Sequence, residues 1–219
     1  MTESLPLRLP AIRAEEAPQE ASLGAYSGDV VRLYEAHSAG LFRLAMAVCQ
    51  DTDAAKEASF TVADLGPRVA EFERRVAALL SKRFGVMVNS GTSALWLAVD
   101  LLGCEPGDEV ITSPVTFSSD VAPLVRSGIV PVFVDVEPDT FQIDADAIEE
   151  MIGPRTKAIL APNLCGNCPD WDAIRAIADR HGLLVVEDSC DVLDSYLRGT
   201  RTGTRSDISV TSYARAHSM

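Results

Sequence analysis

Apolar positions along the chain follow two rhythms, and the change between them sets the expected elements. From Asp29 to about Ala58, Val30, Leu33, Tyr34, Leu41, Leu44 and Val48 recur at helical spacing, which predicts a helical extension over residues 28–60. Before it, residues 1–27 carry Pro6, Pro10, Pro18 and the Glu15-Glu16 pair without sustained periodicity, which predicts a disordered leader. After the Gly66-Pro67 breaker, Val69, Phe72, Val76, Leu79 and Leu80 again lie three and four apart, the stripe of an amphipathic helix.

From Phe84 onward, short apolar runs alternate with helical stretches. Gly85–Val88, Glu109–Thr112, Val130–Val136, Ala158–Leu164, Leu183–Glu187 and Ile208–Tyr213 read as strands. Ser93–Leu102, Ser118–Ser127, Ala145–Ile152 and Trp171–His181 read as helices between them. The last is the best punctuated, with Asp170 placed to cap its start and Gly182 following its end. Near-continuous apolar strands separated by helices predict an α/β fold, a three-layer αβα domain whose mainly parallel sheet is covered on both faces.

Composition narrows the function classes. With 219 residues, 47% hydrophobic and 23% charged, the chain can bury a real core. Nineteen basic against thirty-two acidic side chains give −13 at pH 7, a field that repels phosphate backbones and argues against nucleic-acid binding. No apolar run reaches the ~18–20 residues of a membrane span, and Met1 to Pro18 hold no apolar signal region, so a cytoplasmic protein is expected. Five cysteines in a chain this long fit reduced thiols better than a disulfide framework. Cys165-Gly-Asn-Cys168 has no second pair and reads as a loop, so no metal site is expected.

Chemistry in such sheets lies beyond the carboxyl ends of the strands. After the first of these strands, Asn89-Ser90-Gly91-Thr92-Ser93-Ala94-Leu95 is a small-residue turn opening a helix. Its free N–H groups, hydroxyls and helix dipole make an anion site, or else simply a tight capped turn. Phe117 stands at the mouth of the second strand, placed for ring stacking or for packing. Glu187-Asp188-Ser189-Cys190-Asp191 puts three acids at the end of an apolar strand, where a carboxylate can pair with a protonated ring nitrogen or a metal, or cap a helix. The sixth strand runs out through Ser212 and Tyr213 toward His217, a titratable base.

The stretch 61–219 resembles the N-terminal half of the DegT/DnrJ/EryC1/StrS sugar aminotransferase family, of the fold-type I pyridoxal-phosphate superfamily. The resemblance rests on Gly66–Glu73, Asn89–Leu95, Pro106–Ile111, Pro131–Val136, Pro154–Ile159 and Val186–Asp188, in order. It implies a cofactor-binding large domain, truncated here because family members continue into a small domain that closes the site. In that fold the next strand returns antiparallel between the first and sixth strands, so open sheet edges are expected. A second, weaker resemblance links Asp29–Ala58 to the first helices of extracytoplasmic-function sigma factors, without the rest of their promoter-binding region.

The family resemblance implies pyridoxal 5'-phosphate or pyridoxamine 5'-phosphate (PMP) as cofactor and a role for each matching position. Thr92, Ser93 and Ser212 would hold the phosphate, Phe117 would stack on the ring and Asp188 would keep the ring nitrogen protonated. Asp191 stands where aminotransferases carry Gln or His near the phenolic oxygen. Position 217, where they carry the Schiff-base lysine, is His217, and Lys56, Lys82 and Lys157 all lie elsewhere in the order. Histidine there resembles the deoxysugar 3-dehydrase branch, acting on a 4-keto-6-deoxyhexose nucleotide sugar. PMP brings its own amine, so that chemistry needs a base near neutral pKa rather than a lysine, and His217 is the expected catalytic residue. A homodimer, a reductase partner and a place in deoxysugar or lipopolysaccharide biosynthesis are further implied. A lysine-less aminotransferase relative and a non-catalytic remnant or interaction module stay open.

Overall fold

The computed structural model describes residues 45–49, 67–192 and 194–213. The predicted leader, the rest of the 28–60 extension and His217 lie outside the described residues. In chain order the elements are β1 (Ala45–Cys49), α1 (Pro67–Leu79), β2 (Phe84–Val88), α2 (Gly91–Leu101), β3 (Glu109–Thr112), α3 (Ser118–Arg126) and β4 (Val130–Phe133). Then come α4 (Ala145–Ile148), β5 (Thr156–Pro162), α5 (Trp171–His181), β6 (Leu184–Asp188), the hairpin β7 (Tyr196–Leu197) and β8 (Thr200–Arg201), and β9 (Ile208–Ser212).

Seven strands form one sheet in the order β2-β1-β9-β6-β5-β3-β4. The five from β9 to β4 are parallel. Alternate residues serve opposite faces, as the strand period demands. Val110, Ala158, Leu160, Val186 and Val210 pack with Leu95 and Leu124 of α2 and α3. Ile111, Ile159, Ala161 and Val185 pack with Ile148, Trp171 and Ile174 of α4 and α5. The expected three layers are present. The caps of α5 are those the sequence marks: Asp170 accepts from Asp172 N and Ala173 N, and Gly182 takes the left-handed conformation at φ 67° that a side chain would resist.

Two expectations are corrected. Within the predicted helical extension, Ala45–Cys49 is a strand, antiparallel to β2 (Ala45 opposite Val88) and to β9 (Ala45 opposite Ser212). It therefore fills the place between the first and sixth predicted strands that was expected to stay open. Five consecutive apolar residues carry no periodicity that separates a helix from a central strand. Two flanking strands with unpaired backbone groups decide in favour of the strand. The other difference is at Ala145–Ile152, where the α-helix stops at Ile148 and a 3-10 turn, Glu149–Met151, completes the segment.

Candidate functional site

The carboxyl ends of β2, β3, β5, β6 and β9 surround a cavity of about 220 Å³. Ser90, Gly91 and Thr92 line it from the start of α2, Phe117 and Ser119 from the start of α3, and Pro162 and Leu164 from the end of β5. Asp188, Cys190 and Asp191 close it from β6, and Ser212 from β9.

Small residues shape the floor. Ser90 caps α2 in an extended conformation, its Oγ accepting from Ser93 N at 3.1 Å and lying 3.0 Å from Ser93 Oγ. A Cβ on Gly91 would lie 3.2 Å from Cys190 Sγ and 3.3 Å from Ser212 Cβ. Glycine there lets β6, β9 and the positive end of α2 approach one another. Thr92 and Ser212 thus share the cavity, while the Ser93 hydroxyl turns to its own cap instead of lining it.

The three acids at and just beyond the end of β6 separate into three environments. Glu187 is fully buried and accepts from Asn163 Nδ2 at 2.8 Å, Ser189 Oγ at 2.7 Å and Gly203 N at 2.8 Å, so it ties the β7–β8 segment to the sheet. Asp188, 6% exposed, reaches the cavity, with Oδ1 accepting from Cys190 N at 2.9 Å. Burial pushes its carboxyl above the usual range, and the hydrogen bonds from Cys190 pull the other way. Asp191 is exposed at the rim, its Oδ2 accepting from Cys165 N at 3.1 Å. Burial, aided by Asp188, pushes the Cys190 thiol far up, so it stays protonated. Phe117, 67% exposed at the start of α3, lines the same cavity with its ring unpacked.

No lysine lines the cavity among the described residues. Lys82 is buried elsewhere, donating to Gly203 O, to Ser206 O at 2.5 Å and to Ser206 Oγ at 3.2 Å. Lys157 lies 3.8 Å from Asp108 at the other end of the strands. Of the predicted site residues, Thr92, Phe117, Asp188, Asp191 and Ser212 come together here, and Ser93 stands just behind. Asp120 was not among them. It is buried in the first turn of α3 and carries no sequence signal beyond that of an ordinary acid at a helix start.

A sequence model of the DegT/DnrJ/EryC1/StrS aminotransferase family matches residues 49–219. The spore coat polysaccharide biosynthesis protein SpsC of Bacillus subtilis is 40% identical over 68% of this chain and 38% of its own length. The dTDP-4-dehydro-2,6-dideoxy-D-glucose 3-dehydratase of Saccharopolyspora spinosa is 40% identical over 69% of this chain and 35% of its own. The crystal structure of NtdA from Bacillus subtilis with bound cofactor PMP superposes at a TM-score of 0.56 and 43% identity, over 58% of this chain and 29% of that one. The chain spans less than half the length of these relatives.

Proposed function

Because the chain belongs to the DegT/DnrJ/EryC1/StrS aminotransferase family, we propose that it carries the cofactor-holding part of a pyridoxal- or pyridoxamine-phosphate-dependent nucleotide-sugar enzyme. More narrowly, we propose a 3-dehydrase acting on a 4-keto-6-deoxyhexose. One observation carries the reading: a helix N-terminus, a buried carboxylate and an exposed aromatic ring meet in one cavity.

The residues present fit the group. Thr92, Ser212 and the N-terminus of α2 would hold the phosphate, in a cradle that a Cβ on Gly91 would fill. Ser93 would support that cradle through Ser90. Phe117 would cover one ring face, Asp188 would keep the ring nitrogen protonated, and Asp191 would stand near the phenolic oxygen. Bound there, the pyridine ring supplies an electron sink for a carbanion beside it. His217, following Ser212-Tyr213 where the lysine is otherwise found, would move the proton. Homodimerisation, a reductase that consumes the product, and a role in deoxysugar or lipopolysaccharide biosynthesis follow from the same reading. Relatives named as aminotransferases, such as the UDP-2-acetamido-2-deoxy-3-oxo-D-glucuronate aminotransferase of Pseudomonas aeruginosa, favour amine transfer as the second reading.

The test is titration of the full chain with PMP and with pyridoxal phosphate, followed by borohydride and mass spectrometry. Reversible binding without a covalent adduct is expected. Gly91→Ala should weaken binding about tenfold, the effect of ~1.4 kcal/mol. Absence of binding, or an adduct on Lys82 or Lys157, overturns the reading. Incubation with PMP and a 4-keto-6-deoxy nucleotide sugar separates the two chemistries, since loss of water marks the dehydrase and glutamate-dependent amination the transferase.

A further inference from the structure

Beneath the cavity floor lies a second carboxyl that the proposed chemistry does not use. Asp120 is 0% exposed, in the first turn of α3. Thr116 Oγ1 donates to its Oδ2, while its Oδ1 is buried with no hydrogen-bond donor to accept from. The group set against this carboxyl is another acid: Asp120 and Asp188 lie within hydrogen-bonding reach of one another. Two carboxylates cannot make that bond, because neither has a hydrogen to give. A single proton between them removes both the stranded acceptor and the buried like-charge contact.

The surroundings say which partner keeps the proton. Asp188 already accepts from Cys190 N at 2.9 Å, a bond that favours its charged form. Asp120 has one hydroxyl donor, full burial, and two neighbouring acids, Asp188 and Asp191, that oppose its ionisation. Cys190, the remaining titratable group at the pair, keeps its proton under burial and the same acids. The helix N-terminus favours a charge on Asp120, but α3 is nine residues long and the effect of a dipole, ~0.3–1 kcal/mol at the surface, is small beside the burial of an unpaired carboxylate.

We propose that Asp120 is a positioning residue: as the neutral acid it donates a hydrogen bond to the Asp188 carboxylate, fixing its orientation toward the cavity and holding the pair at one negative charge. This rests on the reading of Asp188 as the partner of a ring nitrogen. In that reading the second acid keeps the first from rotating away or taking up a proton, so the single charge is presented to the ring.

The experiment is a carbon-13 NMR titration of aspartate side-chain carboxyls in the full chain without cofactor. One aspartate should keep the chemical shift of a neutral acid at pH 7. Asp120→Asn should remove that resonance and leave Asp188 ionised, because the amide still donates. Asp120→Val should instead move the titration of Asp188 upward and weaken PMP binding by about tenfold or more at pH 7, with the loss growing toward lower pH. An ordinary titration for every aspartate in the unsubstituted chain overturns the proposal without any variant having to fold. So does a neutral resonance that survives in Asp120→Asn. If the carboxyl pair behaves as described and PMP does not bind at all, the cofactor reading fails and the shared proton stands.

Discussion

Gly203→Ala should be among the most damaging single-methyl changes in this chain, and its cost can be worked out. Gly203 has φ +86°, and an added Cβ would lie 2.3 Å from Leu80 O, 2.9 Å from Leu80 C and 3.0 Å from Leu80 Cα. All three are backbone atoms, so no side chain can swing aside. The Gly203 peptide also joins two buried charges: its N–H donates to Glu187 Oε2 at 2.8 Å, and its carbonyl accepts from Lys82 Nζ. Relieving the clash means pulling this peptide off both. Left-handed backbone costs an alanine ~1–2 kcal/mol, and a hydrogen bond to a charged group contributes ~1.5–3 kcal/mol. The total is on the order of 5 kcal/mol, against a stability of ~5–15 kcal/mol for a typical domain. Gly199→Ala is the matched control, since φ is +77° there and nothing lies within 4 Å of the new methyl. It should cost only ~1–2 kcal/mol. Urea denaturation followed by tryptophan fluorescence measures both, because Trp171 is buried and bonded to Asn163, itself a partner of Glu187. Costs for the two variants equal within ~0.5 kcal/mol, inside ordinary additivity error, would refute the reasoning.

Asp170→Ala removes both the cap of α5 and the paired contact with Arg198, at 2.7 Å to each carboxylate oxygen, and should cost ~1–2 kcal/mol in urea denaturation at pH 7. The Arg198 guanidinium holds the Asp170 carboxyl down at about 2, so this contribution is present above its ordinary value of 3.8 and is lost as pH falls through about 2. The gap between the two proteins should close on that acid limb, and a constant gap down to pH 2 would contradict the assignment. Ala47→Pro places a residue without an N–H inside a strand paired on both sides, where Ala47 stands opposite Val86 and Val210. A loss of ~3 kcal/mol or more is expected, and an unchanged urea midpoint would mean that β1 adds nothing to the sheet.

What the sequence revealed, and what it hid, follows from the range of the forces involved. Strands β3, β5, β6 and β9 were legible because buried parallel strands read as apolar runs, and the rule that ligands gather at strand carboxyl ends led to the Asn89–Leu95 turn, Phe117, the Glu187–Asp191 segment and Ser212, each of which contributes to the cavity. Within Glu187–Asp191 the pattern indicated that acids matter but not which. The strand period sends Glu187 to the Gly203 loop and Asp188 to the cavity, and only the three-dimensional neighbours tell these apart. Ala45–Cys49 was misread for a related reason. Its strand partners are remote in sequence, and a short apolar run adopts whichever structure the neighbouring backbone can satisfy. Asp120 is the limiting case. Its type and its place in the first turn of α3 indicate a helix-favouring surface acid, yet the turn that begins at Phe117 folds it beneath Asp188. A buried acid at a helix start costs stability unless it keeps a proton, and here the adjacent carboxylate is the acceptor for that proton. The residue that most contradicts its local rule is therefore the one set directly against the carboxyl proposed to face the cofactor ring, where a local conflict can be offset by the site it would serve.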